Sequence, residues 1–549
     1  MGFDYSYVDL AFRNGKIVTV NKNDDICEAV GVKGNKIVFV GSNEDLDKIV
    51  DKNTKIVDLK GRSLLPGFID AHYHPILAGL IGTDLDSGML NTSIDNIKSL
   101  AELFDYIRAC VATKNPGEWI SSMGFDGILV PEHRWPTLEE LDEISPDNPL
   151  QVMHFGGHFS YYNSKALAYL GVYGPEDAKK YPEDAVEVVN GKLTGRVNDH
   201  THFWLWGQIP YSEEVQTKAA LKMQEHLLEN GVTSIHDTGE CGASSYHIMQ
   251  KLCRERKFRV RSYMVLHDIF GKPFSYAENE HWMGLGLMTG LGNEYFRIGS
   301  CKFMVDGDTG GPNCATFEPY CGDHPWNFVM GWEKDEIAEY LLKINRAECQ
   351  ATAHVMGDLA LDYMVSGYEK CYEEDPERTI RLRNRIEHCS MAFPELIPRM
   401  AKMNIVPINN PGFLVRDGRN YDEYFGERVK YITPLRSMLD AGIKAALASD
   451  TPSGPAGIAL IDGCVNRKSR MHDFQLDQSE CISVLEAIRC YTLNGAYASF
   501  EEDIKGSVEI GKLADFTIIS DDILTYPKER INELMVDMTV IDGKIEFER

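Results

Sequence analysis

The run Leu64-Leu65-Pro66-Gly67-Phe68-Ile69-Asp70-Ala71-His72-Tyr73-His74-Pro75 closes an apolar stretch with a His-x-His pair. Side chains on a β-strand alternate faces, so Asp70, His72 and His74 point the same way, and two imidazoles so placed can grip one metal ion. On a helix the same spacing would splay them. Four more polar residues stand in or at the ends of apolar, strand-like runs. Lys302 lies within Ser300-Cys301-Lys302-Phe303-Met304-Val305-Asp306, and His354 within Thr352-Ala353-His354-Val355. His388 closes Arg385-Ile386-Glu387-His388, and Asp450 ends Ala445-Ala446-Leu447-Ala448-Ser449-Asp450. A buried lysine either finds a partner, here Asp306 or Asp308, or loses its proton. As a neutral amine it can take up carbon dioxide and become an anionic carbamate able to bridge two metals. Singly, each histidine could be a packed core residue and Asp450 a helix cap. Together, their nitrogen and oxygen chemistry points to a metal centre for Zn2+, with Mn2+ or Fe2+ as alternatives.

Ligands this far apart in the chain need a fold that returns many strands to one mouth. Eight strand candidates alternate with amphipathic helical stretches: Gly67–His74, Val232–Asp237, Val260–His267, Phe296–Asp306, Gln350–Val355, Arg385–Cys389, Ile405–Asn409 and Lys444–Asp450. This predicts an α/β fold, a (β/α)8 TIM barrel over 64–500, with its active site at the strand C-termini. Residues 1–63 and 501–549 read instead as short strands and turns, which predicts one small β-sandwich built from both chain termini. The gap between the first two strands is too long for one βα unit. Residues from about 80 to 215 must therefore be an insertion, expected to form a lid or a wall of the pocket. Within it His158 follows Gly156-Gly157, where the backbone can come close to a ligand, and could donate to a developing oxyanion. Trp119, His236 and His267 are further pocket candidates, each of which could equally be a packed aromatic. Glu387 alternates with His388, so it is expected to face the surrounding helices, against Arg385. Asp358 is expected to fix His354 or its turn.

Composition narrows the function classes. The chain has 549 residues, 43% hydrophobic and 25% charged, and a formal charge of −27. Such a surface repels phosphate backbones and anionic lipids, which argues against nucleic-acid and membrane partners and for a small-molecule substrate. No run approaches the ~18 apolar residues of a membrane span. The 13 cysteines include no Cys-x-x-Cys pair and read as reduced thiols of a cytoplasmic protein. A homodimer is a possible assembly, with no sequence feature that requires it.

The order His-x-His, Lys302, His354, His388 and Asp450 resembles the metal-dependent amidohydrolase superfamily. Closer still is its amidohydrolase 3 branch, the group that includes the N-substituted formamide deformylases. The resemblance extends to Asn163-Ser164-Lys165-Ala166-Leu167, Gly231-Val232-Thr233-Ser234, Gly357-Asp358, Ser449-Asp450-x-Pro452, Tyr491-Thr492-Leu493-Asn494-Gly495-Ala496, and the segment from Gly506 to Asp515. It implies a barrel with a terminal sandwich and a C–N bond hydrolase. It also implies N6-carboxylysine at Lys302 bridging one ion held by His72, His74 and Asp450 to a second held by His354 and His388; a single ion is the alternative. In this scheme Asp450 orients a metal-activated water, accepts its proton and returns it to the leaving nitrogen. The segment Asp308-Thr309-Gly310-Gly311-Pro312-Asn313-Cys314 departs from the more usual family run, so the pocket is expected to differ there. Alternative readings are a deaminase or cyclic-amide hydrolase of the same superfamily, or a non-catalytic metal-binding protein. The deaminase reading lacks its usual Glu in Val355–Asp362 and leaves Lys302 unexplained.

Overall fold

The computed structural model describes residues 7–82, 88–154, 156–182, 185–239, 243–267, 277–310, 313–324, 326 and 328–549. Eight parallel strands form its centre: β1 (Phe68–Tyr73), β2 (Val232–Asp237), β3 (Arg261–His267), β4 (Phe296–Met304), β5 (Ala351–Val355), β6 (Arg385–His388), β7 (Val406–Asn409) and β8 (Ala446–Leu447). Each pairs with its neighbour in the chain, and the sheet runs in order from β1 to β8. The ends meet where Asp450 N–H donates to His72 O at 2.9 Å and His74 N–H donates to Thr451 O at 3.2 Å. A right-handed βα crossover repeated around a twisted sheet closes this way, giving the (β/α)8 TIM barrel expected from the sequence. The strands are buried on both faces, so β1 and β2 are buried at every position, as a sheet enclosed by helices requires.

The outer helices follow from their pattern. In Lys334–Arg346 the buried residues Ile337, Tyr340, Leu341 and Ile344 recur at helical spacing, and Glu333 with Glu336 forms a capping box at its start. Helix Glu213–Glu229 is capped by Ser212 and packs on helix Pro75–Leu80. The two backbones come so close that a Cβ on Gly79 would lie 2.1 Å from Ala219 O; only glycine fits.

Between β1 and β2 the insertion is a folded layer of its own. A seven-stranded sheet spans Ile81–Gly82 to Lys192–Asn198, with a separate core that includes Leu103, Ile107, Ile120, Leu150 and Val152. At the chain ends, a six-stranded sheet interleaves Lys16–Val18, Ile26–Cys27 and Ser63–Pro66 with Phe516–Ile519, Val536–Ile541 and Lys544–Glu548. A four-stranded sheet shares its core through Leu10, Phe12, Val30 and Val32. Neither terminus could bury its apolar face without the other; Phe12 meets Phe516 edge-on at 5.8 Å.

The terminal sheets are joined to the barrel at the N-terminal ends of the strands. Arg261, at the start of β3 and 1% exposed, donates to Asp515 through Nε (2.7 Å) and Nη2 (3.0 Å) and to Asp542 through Nη2 (2.6 Å). The opposite mouth, where the candidate ligands stand, is left to the insertion.

Candidate active site

His72 points into the barrel from β1, while His74 is the residue just past the strand and the N-cap of helix Pro75–Leu80. Asp450 lies beyond β8, with φ +57°. Its Oδ1 is 3.3 Å from His72 Nε2 and 3.0 Å from His74 Nε2, and the three ligating atoms lie within 4.8 Å of one another. Lys302 Nζ, from β4, is 3.3 Å from His72 Nε2. The His388 ring centroid is 4.8 Å from that of His72 and 4.5 Å from that of His354. Thus His72, His74, Lys302, His354, His388 and Asp450 converge on one cleft.

Each histidine is held by one ring nitrogen. His72 Nδ1–H donates to Glu387 Oε2 at 2.6 Å, and His74 Nδ1 bonds Thr238 Oγ1 at 2.6 Å. His354 Nε2–H donates to Gly307 O at 2.9 Å, and His388 Nδ1–H to Asn410 Oδ1 at 2.8 Å. A partner at one nitrogen selects the tautomer and turns the other, with its lone pair, inward. Burial, reinforced by neighbouring cationic groups, holds His72, His354 and His388 well below the usual imidazole range, so these rings are neutral donors. Burial also pushes the Asp70 and Asp450 carboxyls up to about 7. A cation seated against Asp450 would draw it back to carboxylate. Clustered imidazole nitrogens and a carboxylate oxygen fit a divalent ion such as zinc.

Glu387 contradicts its expected outward orientation. It is fully buried inside the barrel, where it accepts from His72, from Thr352 Oγ1 at 2.7 Å and from Arg385 Nε at 2.9 Å. Strand alternation does hold for Arg385 and Glu387, which face in, and Ile386, which joins the helix-facing core. It fails at His388, whose φ of +66° turns its side chain back to the mouth. A left-handed residue other than glycine costs about 1–3 kcal/mol and is found where function over-determines it. Alternation alone could not show this kink.

The remaining candidates separate. His158 lines the cleft, its ring 5.8 Å from that of His354. Trp119 is not among the lining residues; it packs beneath the insertion against Tyr169, 5.1 Å away. His236 lies deeper in the barrel, its Nδ1 accepting from Arg385 Nη1 at 2.9 Å. His267 borders a different cavity with Tyr246 and Trp282. Asp358 fixes a turn rather than His354, accepting from the N–H groups of Phe317 and Leu359. Sequence reading missed Thr238, Asn410 and the apolar wall of Met123, Met153, Phe203 and Trp206. These residue types carry no motif, and only their placement in space marks them.

The Amidohydrolase family model matches residues 55–547. The chain belongs to the amidohydrolase family. It is 27% identical to the N-substituted formamide deformylase of Arthrobacter pascens over 98% of both chains. It is 28% identical to the putative amidohydrolase YtcJ of Bacillus subtilis, over 98% of this chain and 99% of that one. In fold it is similar to an uncharacterized metal-dependent hydrolase from Pyrococcus horikoshii, with a TM-score of 0.74 and 22% identity, over 94% of this chain and 99% of that one. As an amidohydrolase it is a metal-dependent enzyme that hydrolyses non-peptide carbon–nitrogen bonds of small molecules. No described helix is long and apolar enough to cross a membrane.

Proposed function

We propose that this amidohydrolase cleaves an amide or formamide bond of a small molecule, using zinc held by His72, His74 and Asp450. Manganese or iron is the alternative metal. Lys302, carboxylated on Nζ, would extend the site to His354 and His388 as ligands of a second ion. The observation that carries this reading is the meeting of His72, His74 and Asp450 within 4.8 Å, with Lys302 Nζ 3.3 Å from His72.

When bound, the metal lowers the pKa of a water toward about 7 and polarises the scissile carbonyl. The protein supplies the rest. Asp450 orients the attacking water, takes its proton and returns it to the leaving nitrogen. His158 donates to the oxygen on which charge develops. The Met123, Met153, Phe203 and Trp206 wall excludes bulk water, which strengthens each of these interactions. The acids in the segment after His354 are engaged elsewhere: Asp358 accepts backbone N–H groups, and Asp362 pairs with Lys334 and Arg399.

The test pairs metal analysis with a panel of formyl amides, acyl amino acids, cyclic amides and aminopyrimidines. Amide turnover should appear with metal bound, and Asp450→Asn should lower kcat by about 10²–10⁴ while metal is largely retained. Turnover confined to aminopyrimidines, or full activity in Asp450→Asn, would refute the scheme.

A further inference from the structure

The insertion holds a buried polar network that the hydrolytic scheme leaves unused. Its centre is His202, fully buried on helix Asp199–Trp206. His202 Nε2 lies 3.0 Å from the Gly157 carbonyl oxygen, and its Nδ1 lies 2.8 Å from Tyr162 OH. A carbonyl only accepts, so Nε2 carries a proton and donates it. Gln151 Nε2 donates to Tyr162 OH at 3.0 Å, which leaves the hydroxyl's own hydrogen for His202 Nδ1. Gln151 Oε1 accepts in turn from Ser121 Oγ at 2.5 Å. Tyr162, Gln151 and Ser121 are buried as well. A satisfied chain of this kind in the protein interior is rigid and holds one arrangement.

The chain ends at the cleft, which Gly157 and His158 both line. Gly157 takes φ +78°, and its N–H donates to His154 O at 3.0 Å. The carbonyl that His202 holds belongs to the peptide leading into His158. That peptide is planar, so fixing its oxygen fixes the direction in which the imidazole leaves the backbone. Gly156 and Gly157 have no side chains to brace the turn, and glycine has the most backbone freedom of any residue. A brace must therefore come from outside the loop. The same helix also supports the ring itself: Phe203 meets that of His158 at 5.8 Å. His202 is not among the residues lining the cleft, so it reaches the chemistry only through this loop.

We propose that His202 is a positioning residue, which through the Gly157 carbonyl sets His158 where it donates to the developing oxyanion. This rests on the role given to His158 above.

The experiment uses the ring nitrogen that each side-chain amide replaces. In His202→Gln the amide reaches the Nε2 position and still donates to Gly157 O. In His202→Asn it stops at the Nδ1 position, keeping Tyr162 and losing Gly157. The assay takes the panel amide that the metal-loaded wild type turns over fastest. His202→Asn should lower kcat about 10–100-fold and leave KM within about twofold, because the oxyanion exists only in the transition state. His202→Gln should keep most of the activity. In a His158→Ala background, His202→Asn should cost less than about twofold. Tyr162→Phe removes a single oxygen and frees the His202 ring to turn. It should give a smaller loss of the same kind, and it stands in for His202→Asn should that variant not fold. Amide hydrogen exchange over residues 156–160 reads the brace without turnover, and should be faster in His202→Asn than in His202→Gln. Equal losses in the Asn and Gln variants, or an undiminished loss in the His158→Ala background, make His202 a packing residue and overturn the proposal. The role of His158 then stands if His158→Ala is itself impaired. Wild-type kcat in His158→Ala removes that role and the proposal together.

Discussion

At the scale of single residues, the site depends on groups that never touch the reaction. Glu387 accepts from His72 at 2.6 Å and is itself held by Thr352 and Arg385, which in turn is held by His236. Inside a low-dielectric barrel this chain selects the tautomer of His72 and aims its Nε2 at the metal position. Arg385 keeps Glu387 below the usual carboxylate range although burial opposes it, so the acceptor remains an anion. Glu387→Gln should therefore weaken metal binding about 10–100-fold, measured by competition with a chromogenic chelator. A simple packing role for Glu387 would lower the thermal midpoint of the metal-free protein and leave the affinity unchanged. His72, His74, Lys302, His354, His388 and Asp450 were all legible in the sequence, because each interrupts an apolar run. The orientation of Glu387 was not, because the left-handed turn at His388 leaves no mark in side-chain alternation.

At the scale of elements, buried parallel strands announce themselves as apolar runs bounded by turn residues. The expected and observed strands accordingly differ mainly at their ends. Lys444–Asp450 is a strand only over Ala446–Leu447, since the chain must then turn to present Asp450 at φ +57°. The insertion shows no such single motif, yet it supplies His158 and the apolar wall, Met123 and Met153 from its sheet and Phe203 and Trp206 from helix Asp199–Trp206. Its role becomes visible only when it covers the barrel mouth. Junctions between elements are similarly hidden: Arg261 at the foot of β3 is paired with Asp515 and Asp542, residues far away in sequence. Arg261→Met should destabilise the protein by about 3–5 kcal/mol in denaturant titration, because it leaves Asp515 without its cation in a buried junction, while Asp542 keeps Arg256. A loss below about 1 kcal/mol, as for a surface pair, would show that the junction is solvated.

At the scale of the whole molecule, the proposed metal centre would link metal binding to stability. The proposed ligands come from β1 and the residue after it, β4, β5, β6 and the segment after β8, so an ion tied to them would join opposite sides of the barrel. An ion that binds only the folded state, at about a thousand times its Kd, adds about 4 kcal/mol. Stripping with a chelator should lower the thermal midpoint by several degrees, and adding zinc back should restore it. An unchanged midpoint, with metal shown to be removed, would mean that the ion is not coupled to the closure of the barrel.

The amino-acid order by itself determined the chemistry available and the scaffold: hydrophobic period and turn residues specify the barrel, and polar interruptions of its strands mark the candidate ligands. Tertiary structure alone decided which polar groups meet. Glu387 joined His72, and Asp358 went to a turn. The reason is physical. Periodicity is a local property of the chain, whereas hydrogen-bond partnership depends on distances between residues far apart in sequence, which exist only after the barrel closes.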